Sequence, residues 1–483
     1  MTSYLKRLLA GGAAYQAAAV LAAALAVLTL PLYTRSLSPA DYGYAETLLT
    51  SIILASILLR LGIGEAFVRF WFDDEDSARR LRLARTTTAV VGLSTTAATL
   101  AGLAAAGPLS RALLGTDDAT LMACGLLGLW AFTNLEVAYA LLRVEERRGT
   151  YAAASAVNVV LTVVLTVLLV VVLDWGARGY VLGNYAASTA VLLGLWWRER
   201  EKLAVRPVMP LGPLLRFGAP TIPAEATVFT LNVIDRAYLL RAESPAAAGL
   251  YAVAVKLATA VIVVVRGFQA AWPPLAYSVR DDAQAGRLYA LVTTAYVAVT
   301  GLSVAAITLL GRWLVRLLAA PDYYAAHRAL PWLALGWALY GLNLVFVTIA
   351  GRAKVTTRNF PAAAAGVLVN VVVLVALIPP LGIAGAGIAL AAAYLVMLAL
   401  IHVLTRRLFV VPFEWGRLGL LVGVLTGVTV GGELLLPDHG AAGLLSRAAA
   451  LALIPAVLWA AGFVRPNERE RVVAALRARR AAT

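Results

Sequence analysis

The chain has 483 residues, of which 61% are hydrophobic and 14% are charged, and its formal net charge is +15. Soluble domains usually contain about 45–50% apolar and about 25% charged residues, so this composition excludes a chain built only of soluble domains. The basic residues stand between long apolar runs. Their expected partner is therefore the membrane surface, and no nucleic acid is expected. The sequence predicts an all-α polytopic membrane protein.

About fourteen apolar runs match the thickness of the hydrocarbon core, which a helix of about 20 residues spans. The first run is too long for the apolar part of a signal peptide, so we interpret it as a membrane helix. The predicted transmembrane helices cover residues 10–33, 42–64, 86–108, 119–141, 151–173, 179–197, 217–240, 249–272, 288–311, 329–350, 361–378, 383–404, 418–436 and 442–464.

The orientation of these helices follows from the distribution of Lys and Arg, which concentrate in cytoplasmic loops. The basic clusters at 79–85, 143–148, 198–202 and 465–480 all fall on one side of the predicted membrane. We therefore expect both termini to be cytoplasmic in a protein of the cytoplasmic (inner) membrane.

An internal repeat relates the two halves of the chain. An offset of 206 residues aligns Ser38-Pro39 with Ser244-Pro245, and Gly43 with Gly249, without a gap. Six spans in each half make the repeat parallel, with an axis along the membrane normal and a binding site expected at the interface of the halves. The predicted domains are a six-helix lobe at 1–206, a second six-helix lobe at 207–405, and a helix pair with a basic tail at 406–483.

Few residues suit catalytic or metal chemistry. Cys124 is the single cysteine, which excludes a disulfide framework, and the three histidines have no ligand spacing. A phosphate-binding loop of the form G-x-x-x-x-G-K-[ST] is absent from the sequence. We expect no catalytic residue, metal or cofactor, so energy for any transport must come from an ion gradient, the membrane potential or a partner.

Several segments resemble one transporter family. Residues 31–44 (PLYTRSLSPADYGY) resemble the first-loop signature of Wzx-type polysaccharide flippases, and residues 214–223 (LLRFGAPTIP), with Asp235-Arg236 and Lys256, resemble the seventh and eighth helices of that family. The family belongs to the multidrug/oligosaccharidyl-lipid/polysaccharide exporter superfamily. The resemblance implies two six-helix lobes in a V shape that turn a lipid-linked sugar across the membrane. The extra C-terminal pair is similar to the fourteen-helix branch that includes lipid II flippases.

Polar residues at helical spacing form one stripe on each of the second, seventh and eighth predicted spans. Charges inside a bilayer are costly and usually face a cavity or a partner, so the three stripes predict one polar central cavity. Guanidinium and ammonium groups suit the phosphates of a lipid carrier, whereas a carboxylate there suits the uptake of H+ or Na+. The candidates for substrate binding are Arg60, Arg266, Lys256 and Asn232, and those for ion coupling are Glu46, Glu225 and Asp235.

Structural roles compete with these interpretations. Arg60 and Arg266 stand close to the cytoplasmic ends of their spans, where arginine side chains also extend to the interface. Asp235 and Arg236 are near the outer surface, and a structural pair is favoured there.

The leading hypothesis is a flippase for undecaprenyl-diphosphate-linked oligosaccharide that works by alternating access. Its expected partners are the lipid-linked substrate, H+ or Na+, the bilayer and other polysaccharide-assembly proteins. A lipid II flippase and a multidrug exporter are the alternatives within transport, and a scaffold is a further one. An integral-membrane polymerase or glycosyltransferase is disfavoured, because the longest predicted outer connection, 312–328, is too short for a catalytic domain.

Overall fold

The computed structural model describes residues 24–73, 75–353 and 355–463, and within these ranges it contains helices and no strand. The helices are α1 (Leu30–Ser36), α2 (Pro39–Leu59), α3 (Ile63–Trp71), α4 (Ser77–Ala104), α5 (Ala106–Leu113), α6 (Ala119–Val144), α7 (Arg148–Val167), α8 (Gly176–Arg198), α9 (Gly212–Gly218), α10 (Ile222–Ala242), α11 (Pro245–Ser278), α12 (Asp282–Leu318), α13 (Leu330–Arg352), α14 (Asn359–Leu381), α15 (Ile383–Thr405), α16 (Trp415–Leu435) and α17 (Gly440–Ala460). The predicted all-α class is confirmed.

Eleven of the described helices are long and apolar enough to cross a membrane, as judged by length and composition. The helices α8 and α10 have 23 and 21 residues but carry more polar groups. With 34 and 37 residues, α11 and α12 would extend about 50–55 Å, so both exceed the hydrocarbon thickness of about 30 Å. The chain is a multi-pass membrane protein. Most of the predicted first span and the basic tail 465–480 lie outside the described residues.

The chain forms two compact units. The first comprises the described parts of Met1–Leu257, Leu318–Ala329 and Ala363–Leu390. The second comprises those of Ala258–Leu317, Leu330–Ala362 and Ala391–Thr483. The two units are defined by which residues pack together, and the first contains segments from both halves of the sequence repeat. The lobe boundaries at 206 and 405 therefore stay a prediction.

The repeat predicted from sequence appears in matching local structure. The Ser38 hydroxyl accepts a hydrogen bond from the backbone N of Asp41 at 3.1 Å, and the Ser244 hydroxyl does so from Ala247 at the same distance. These serines precede the prolines that begin α2 and α11, a favourable pairing of N-cap and N1 residues. The two helices therefore begin in the same way, 206 residues apart.

The repeat-related helices α2 and α11 cross with their backbones almost touching. A Cβ at Gly43 would lie 2.0 Å from the carbonyl O of Pro245, and a Cβ at Gly249 would lie 1.9 Å from the carbonyl O of Pro39. Each contact is the other's equivalent under the 206-residue offset, as in a self-complementary two-fold interface. The pseudo-symmetry axis of the repeat therefore passes close to this crossing, which we call the glycine crossing.

A linker clasp holds the segment after α8 against the first unit. Glu199 forms ion pairs with Arg147 and, at 2.7 Å, with Lys202, and only 12% of its side chain is exposed. Further along, the buried Thr86 hydroxyl accepts hydrogen bonds from the backbone N of Val208 and of Met209 at 3.2 and 3.1 Å. Charge pairing thus fixes the start of this connection, and backbone hydrogen bonds fix its end.

Replacing Glu199 by Gln should open the linker clasp. Burial favours a higher pKa for Glu199, but the bonds from Lys202 and Arg147 outweigh it and hold the pKa below its ordinary value of 4.5. Since the folded pKa is lowered, this stabilisation is present above pH 4.5 and is lost as the pH falls through the lowered value. At neutral pH we expect thermolysin cleavage before the exposed Val205 to become about tenfold faster in the variant, because charged hydrogen bonds are lost.

The control for the clasp variant is Glu201→Gln, which removes an exposed carboxylate from the same connection. Its cleavage rate should match the wild type. Equal rates for the Glu199 and Glu201 variants would show that the ion pairs do not fix the linker.

In the second unit, a buried arginine joins the C-terminal helix pair to α12. Arg447 of α17 is fully buried and pairs with Glu433 of α16. Its guanidinium also donates to the carbonyl oxygens of Pro437 at 3.0 Å and Leu309 at 3.4 Å, and it stands 5.6 Å from the ring centre of Trp313. Polar bonds as well as apolar packing therefore attach α16 and α17.

Candidate functional site

The first unit contains a buried ion pair between the two repeat-related helices. Lys256 Nζ of α11 lies 2.7 Å from Glu46 Oε1 of α2, and the side chains are 19% and 9% exposed. The glycine crossing brings these helices close enough for the pair to form. Each charge satisfies the other, which makes both tolerable away from water.

Tyrosine side chains surround this pair. The Tyr180 hydroxyl donates to Glu46 Oε1 at 2.9 Å and lies 2.6 Å from Lys256 Nζ. The Lys256 ammonium is also 4.9 Å from the ring centre of Tyr42 and 5.3 Å from that of Tyr180, within the range of cation–π attraction. Edge-to-face contacts join Tyr180 to Tyr33 and Tyr42, and Tyr42 to Tyr323. The aromatic groups hold the ammonium in place and cover most of its surface.

Asp235 and Arg236 of α10 point to different partners instead of pairing mainly with each other. The buried Asp235 carboxylate accepts a hydrogen bond from the Tyr251 hydroxyl at 2.7 Å. Arg236 donates to the hydroxyl of Thr50 on α2, one turn beyond Glu46. Asp235 therefore ties α10 to α11, and Arg236 ties α10 to α2.

Arg60 and Glu225 form a second ion pair, which sequence analysis had assigned to separate roles. Arg60 caps the C-terminal end of α2, just before the left-handed Gly62, and its guanidinium lies 3.1 Å from Glu225 Oε1 on α10. The backbones of Gly62 and Gly218 meet closely here, since a Cβ on Gly62 would lie 2.0 Å from the Gly218 carbonyl O. This pair is more exposed than the first, at 22% and 44%.

Arg266 and Asn232 are the two other predicted substrate-binding residues. Arg266 is exposed and belongs to the second unit. The backbone of Asn232 is in α10, but its side chain lies outside the described part of the structure. The structure thus brings together Glu46 with Lys256 and Arg60 with Glu225, and it shows a tyrosine cage that sequence reasoning missed. The sequence signal for that cage was the position of Tyr42 directly beside the repeat glycine Gly43.

The cations of the first unit retain bonding capacity. Within the described residues, Nε of Arg60 and Nε of Arg236 are both buried without a hydrogen-bond acceptor. A buried N–H of this kind costs free energy unless it finds an acceptor. Each of the two guanidinium groups therefore retains one donor without an acceptor among the described residues.

The sequence matches the family model described as polysaccharide biosynthesis protein over residues 8–278, more than half of the chain. The chain belongs to this polysaccharide biosynthesis family. The family match covers α2, α10 and α11, which carry both ion pairs, and it confirms the resemblance found from the sequence motifs. No curated protein matches the sequence of this family member.

Solved structures with the same fold are transporters. The lipid II flippase MurJ, in an inward closed conformation, is 13% identical, with a TM-score of 0.74 over 96% of this chain and 100% of that chain. An inward-facing multidrug resistance MATE transporter of the MOP superfamily is 16% identical, with a TM-score of 0.62 over 81% of this chain and 94% of its own. A MOP superfamily transporter from Pyrococcus furiosus is 16% identical, with a TM-score of 0.53 over 83% and 94%. This polysaccharide biosynthesis family member therefore shares their fold.

Proposed function

We propose that this protein is a flippase that translocates undecaprenyl-diphosphate-linked oligosaccharide across the cytoplasmic membrane by alternating access. The observation that carries the proposal is the pair of buried guanidinium N–H groups, on Arg60 and Arg236, that have no acceptor in the described part of the first unit. A diphosphate supplies such acceptors, and arginine binds phosphate oxygens in a fork. The family match supports a glycan as the rest of the substrate.

Two of the three candidate carboxylates are partners of candidate cations, which suggests how ion uptake and substrate binding are coupled. Glu225 neutralises Arg60, and Glu46 neutralises Lys256. When a carboxylate takes up H+ or Na+, its cation is released to bind phosphate, so gradient energy is transferred to the substrate. In this proposal each of the two cations exchanges its carboxylate partner for a phosphate group of the substrate.

The concentration of Lys and Arg in one set of loops supports a cytoplasmic location for both termini. Arg60 and Glu225 then lie near the cytoplasmic surface, and Glu46 and Lys256 lie deeper. The more exposed pair is the entry contact for a diphosphate head group, and the tyrosine-enclosed pair is the inner contact. Other polysaccharide-assembly proteins would supply and receive the substrate.

A lipid II flippase is the second candidate. The likeness to MurJ extends over 96% of this chain and so includes the C-terminal helix pair. Lipid II shares the polyprenyl diphosphate chemistry, so the cations alone do not discriminate between the two substrates. A multidrug exporter for organic cations is disfavoured, because incompletely bonded guanidinium groups repel such substrates.

The test is translocation in proteoliposomes with a fluorescent polyprenyl-diphosphate oligosaccharide or with lipid II, with and without a proton or sodium gradient. Gradient-dependent translocation of the oligosaccharide supports the proposal. Translocation of lipid II alone favours the second candidate. Failure to move either lipid, with folded protein in the vesicles, overturns both.

Replacing Arg60 by Gln should lower translocation at least about tenfold while leaving stability almost unchanged. Translocation falls because the charged hydrogen bonds to phosphate are lost. A partly exposed ion pair contributes less than about 1 kcal/mol to the free energy of unfolding, so its loss changes stability little. The matched control is Arg111→Gln, which breaks the exposed pair with Asp117 and should transport normally. Equal transport by both variants would remove Arg60 from the substrate path.

A further inference from the structure

A separate cavity lies in the second unit, between α11 and α13. Its volume is about 300 Å³, and its lining includes Gln269, Trp272, Pro273, Tyr277, Leu344 and Thr348. That volume is at the lower end of the range of about 300–1,000 Å³ for small-molecule sites. The lining combines aromatic rings, an amide and a hydroxyl, and it contains no ionisable acid or base other than the tyrosine.

Among the described residues, the Trp272 side chain of this lining carries a polar group without a partner. Trp272 is 1% exposed, and its indole Nε1 has no hydrogen-bond acceptor among the described residues. The ring is held by stacking on Phe268, at 5.7 Å between centres, and by an edge contact with Tyr289 at 4.9 Å. A buried indole N–H usually finds an acceptor, so a bound ligand is a candidate to provide it.

The polar groups nearby are held in fixed positions. Gln269 donates from Nε2 to the Tyr340 hydroxyl at 3.1 Å, which orients the amide. The Tyr277 hydroxyl donates to the carbonyl O of Thr348 at 3.4 Å, and so links α11 to α13. The cavity therefore offers oriented donors and acceptors on an aromatic wall.

A cation stands on the same helix face as this lining. At 100° per residue, Arg266, Gln269, Pro273 and Tyr277 of α11 fall within a stripe of about 80°. Arg266 precedes Gln269 by one turn, it belongs to the same unit, and it is exposed. Along α11 the cation Arg266 comes first and the neutral polar lining of the cavity follows. A ligand with an anionic group next to a neutral polar ring would match this order.

We propose that this cavity binds the sugar ring next to the diphosphate of the lipid-linked substrate, with Arg266 holding the diphosphate. The proposal rests on the proposed function, and it adds the place where the glycan is recognised. A pyranose ring has an apolar C–H face that packs on aromatic rings and hydroxyl groups that bond to amide, hydroxyl and indole groups. An acyl chain would leave the Trp272 indole unsatisfied, and an organic cation would meet Arg266.

The test measures how the full-length protein in nanodiscs binds two probes, undecaprenyl diphosphate and the same lipid carrying one hexose. The wild type should bind the glycosylated lipid more tightly. Gln269→Leu and Trp272→Phe should each weaken binding of the glycosylated lipid by about threefold to tenfold, the value of one hydrogen bond, and leave the bare diphosphate lipid unaffected. Arg266→Gln should weaken binding of both lipids.

Trp272→Phe removes an N–H that bonds to no described protein group, so it should not destabilise the fold by losing a hydrogen bond. Gln284→Leu, in the exposed first turn of α12, is the matched control and should bind both lipids normally. The proposal is overturned by a wild type with no preference for the sugar, or by cavity variants that weaken both lipids equally. If the preference behaves as expected but the wild type translocates neither lipid, the binding site stands and the flippase proposal fails.

Discussion

Replacing Glu46 by Gln is expected to lower the free energy of unfolding by about 3–5 kcal/mol and to abolish gradient-driven translocation. The substitution leaves the Lys256 ammonium, which is 19% exposed, without its carboxylate at 2.7 Å. An uncompensated charge in a protein interior destabilises by this amount, and the cation–π contacts with Tyr42 and Tyr180 recover only part of it. Thermal unfolding in detergent measures the first effect, and the proteoliposome assay measures the second.

The double variant Glu46→Leu with Lys256→Met separates stability from function. An apolar pair of similar size often matches or exceeds the stability of a buried ion pair. We therefore expect the double variant to unfold near the wild-type temperature and still to lack translocation. Glu65→Gln, an exposed carboxylate on α3, is the control for the loss of one negative charge. A single variant as stable as the wild type would argue against a buried pair, and a transporting double variant would remove the pair from the mechanism.

Alanine at either glycine of the crossing should destabilise the protein by about 2–3 kcal/mol or prevent its accumulation. The new methyl group would lie 2.0 Å from a carbonyl oxygen in Gly43→Ala and 1.9 Å in Gly249→Ala. The obstacle is backbone, which a rotamer change cannot move, so the helices must separate and the core between them is lost. The effect is measured as the unfolding midpoint and as the yield of monodisperse protein.

Gly267→Ala is the matched control for the crossing, since Gly267 lies on the same helix as Gly249 and a Cβ there meets nothing within 4 Å. Alanine in an unobstructed helix should raise stability by about 0.5–1 kcal/mol. Of the two substitutions on α11, Gly249→Ala is therefore expected to lower stability and Gly267→Ala to raise it. Loss of stability in both variants would mean that the close approach at Gly249 does not determine the result.

Local features of this fold were predictable because the sequence carries them locally. Apolar runs marked most membrane helices, and the offset of 206 residues predicted that Ser38 and Ser244 begin equivalent helices. The predicted span at 217–240 begins later, as α10 at Ile222, because prolines at 220 and 223 favour a short 3₁₀ turn, Ala219–Thr221, before the helix. The first residue of such a helix depends on the pattern of backbone hydrogen bonds, which the hydropathy of the sequence does not indicate.

The pairing inside the site was not predictable, because it depends on which helices cross and where. Glu46 and Lys256 are 210 positions apart, and they come together where Gly43 contacts the backbone of the repeat-related helix. Arg60 and Glu225 were assigned to different tasks because helical periodicity relates residues within one helix and not between helices. The assignment of substrate and coupling residues stays a prediction that the transport assays test.

The buried Arg447 has a consequence for how the protein enters the membrane during synthesis. An arginine at the centre of a lone transmembrane helix costs about 2.5–3.5 kcal/mol on insertion scales, and Arg447, which lies in the first half of α17, meets part of this cost. The acceptors of Arg447 come from Glu433 on α16, the connection before α17, and Leu309 on α12. Transfer of α17 as a single helix from the translocon into the lipid bilayer is therefore unfavourable. The transfer becomes more favourable when α12 and α16 are already beside it. Assembly of the second unit is in this way ordered from the earlier helices to the last.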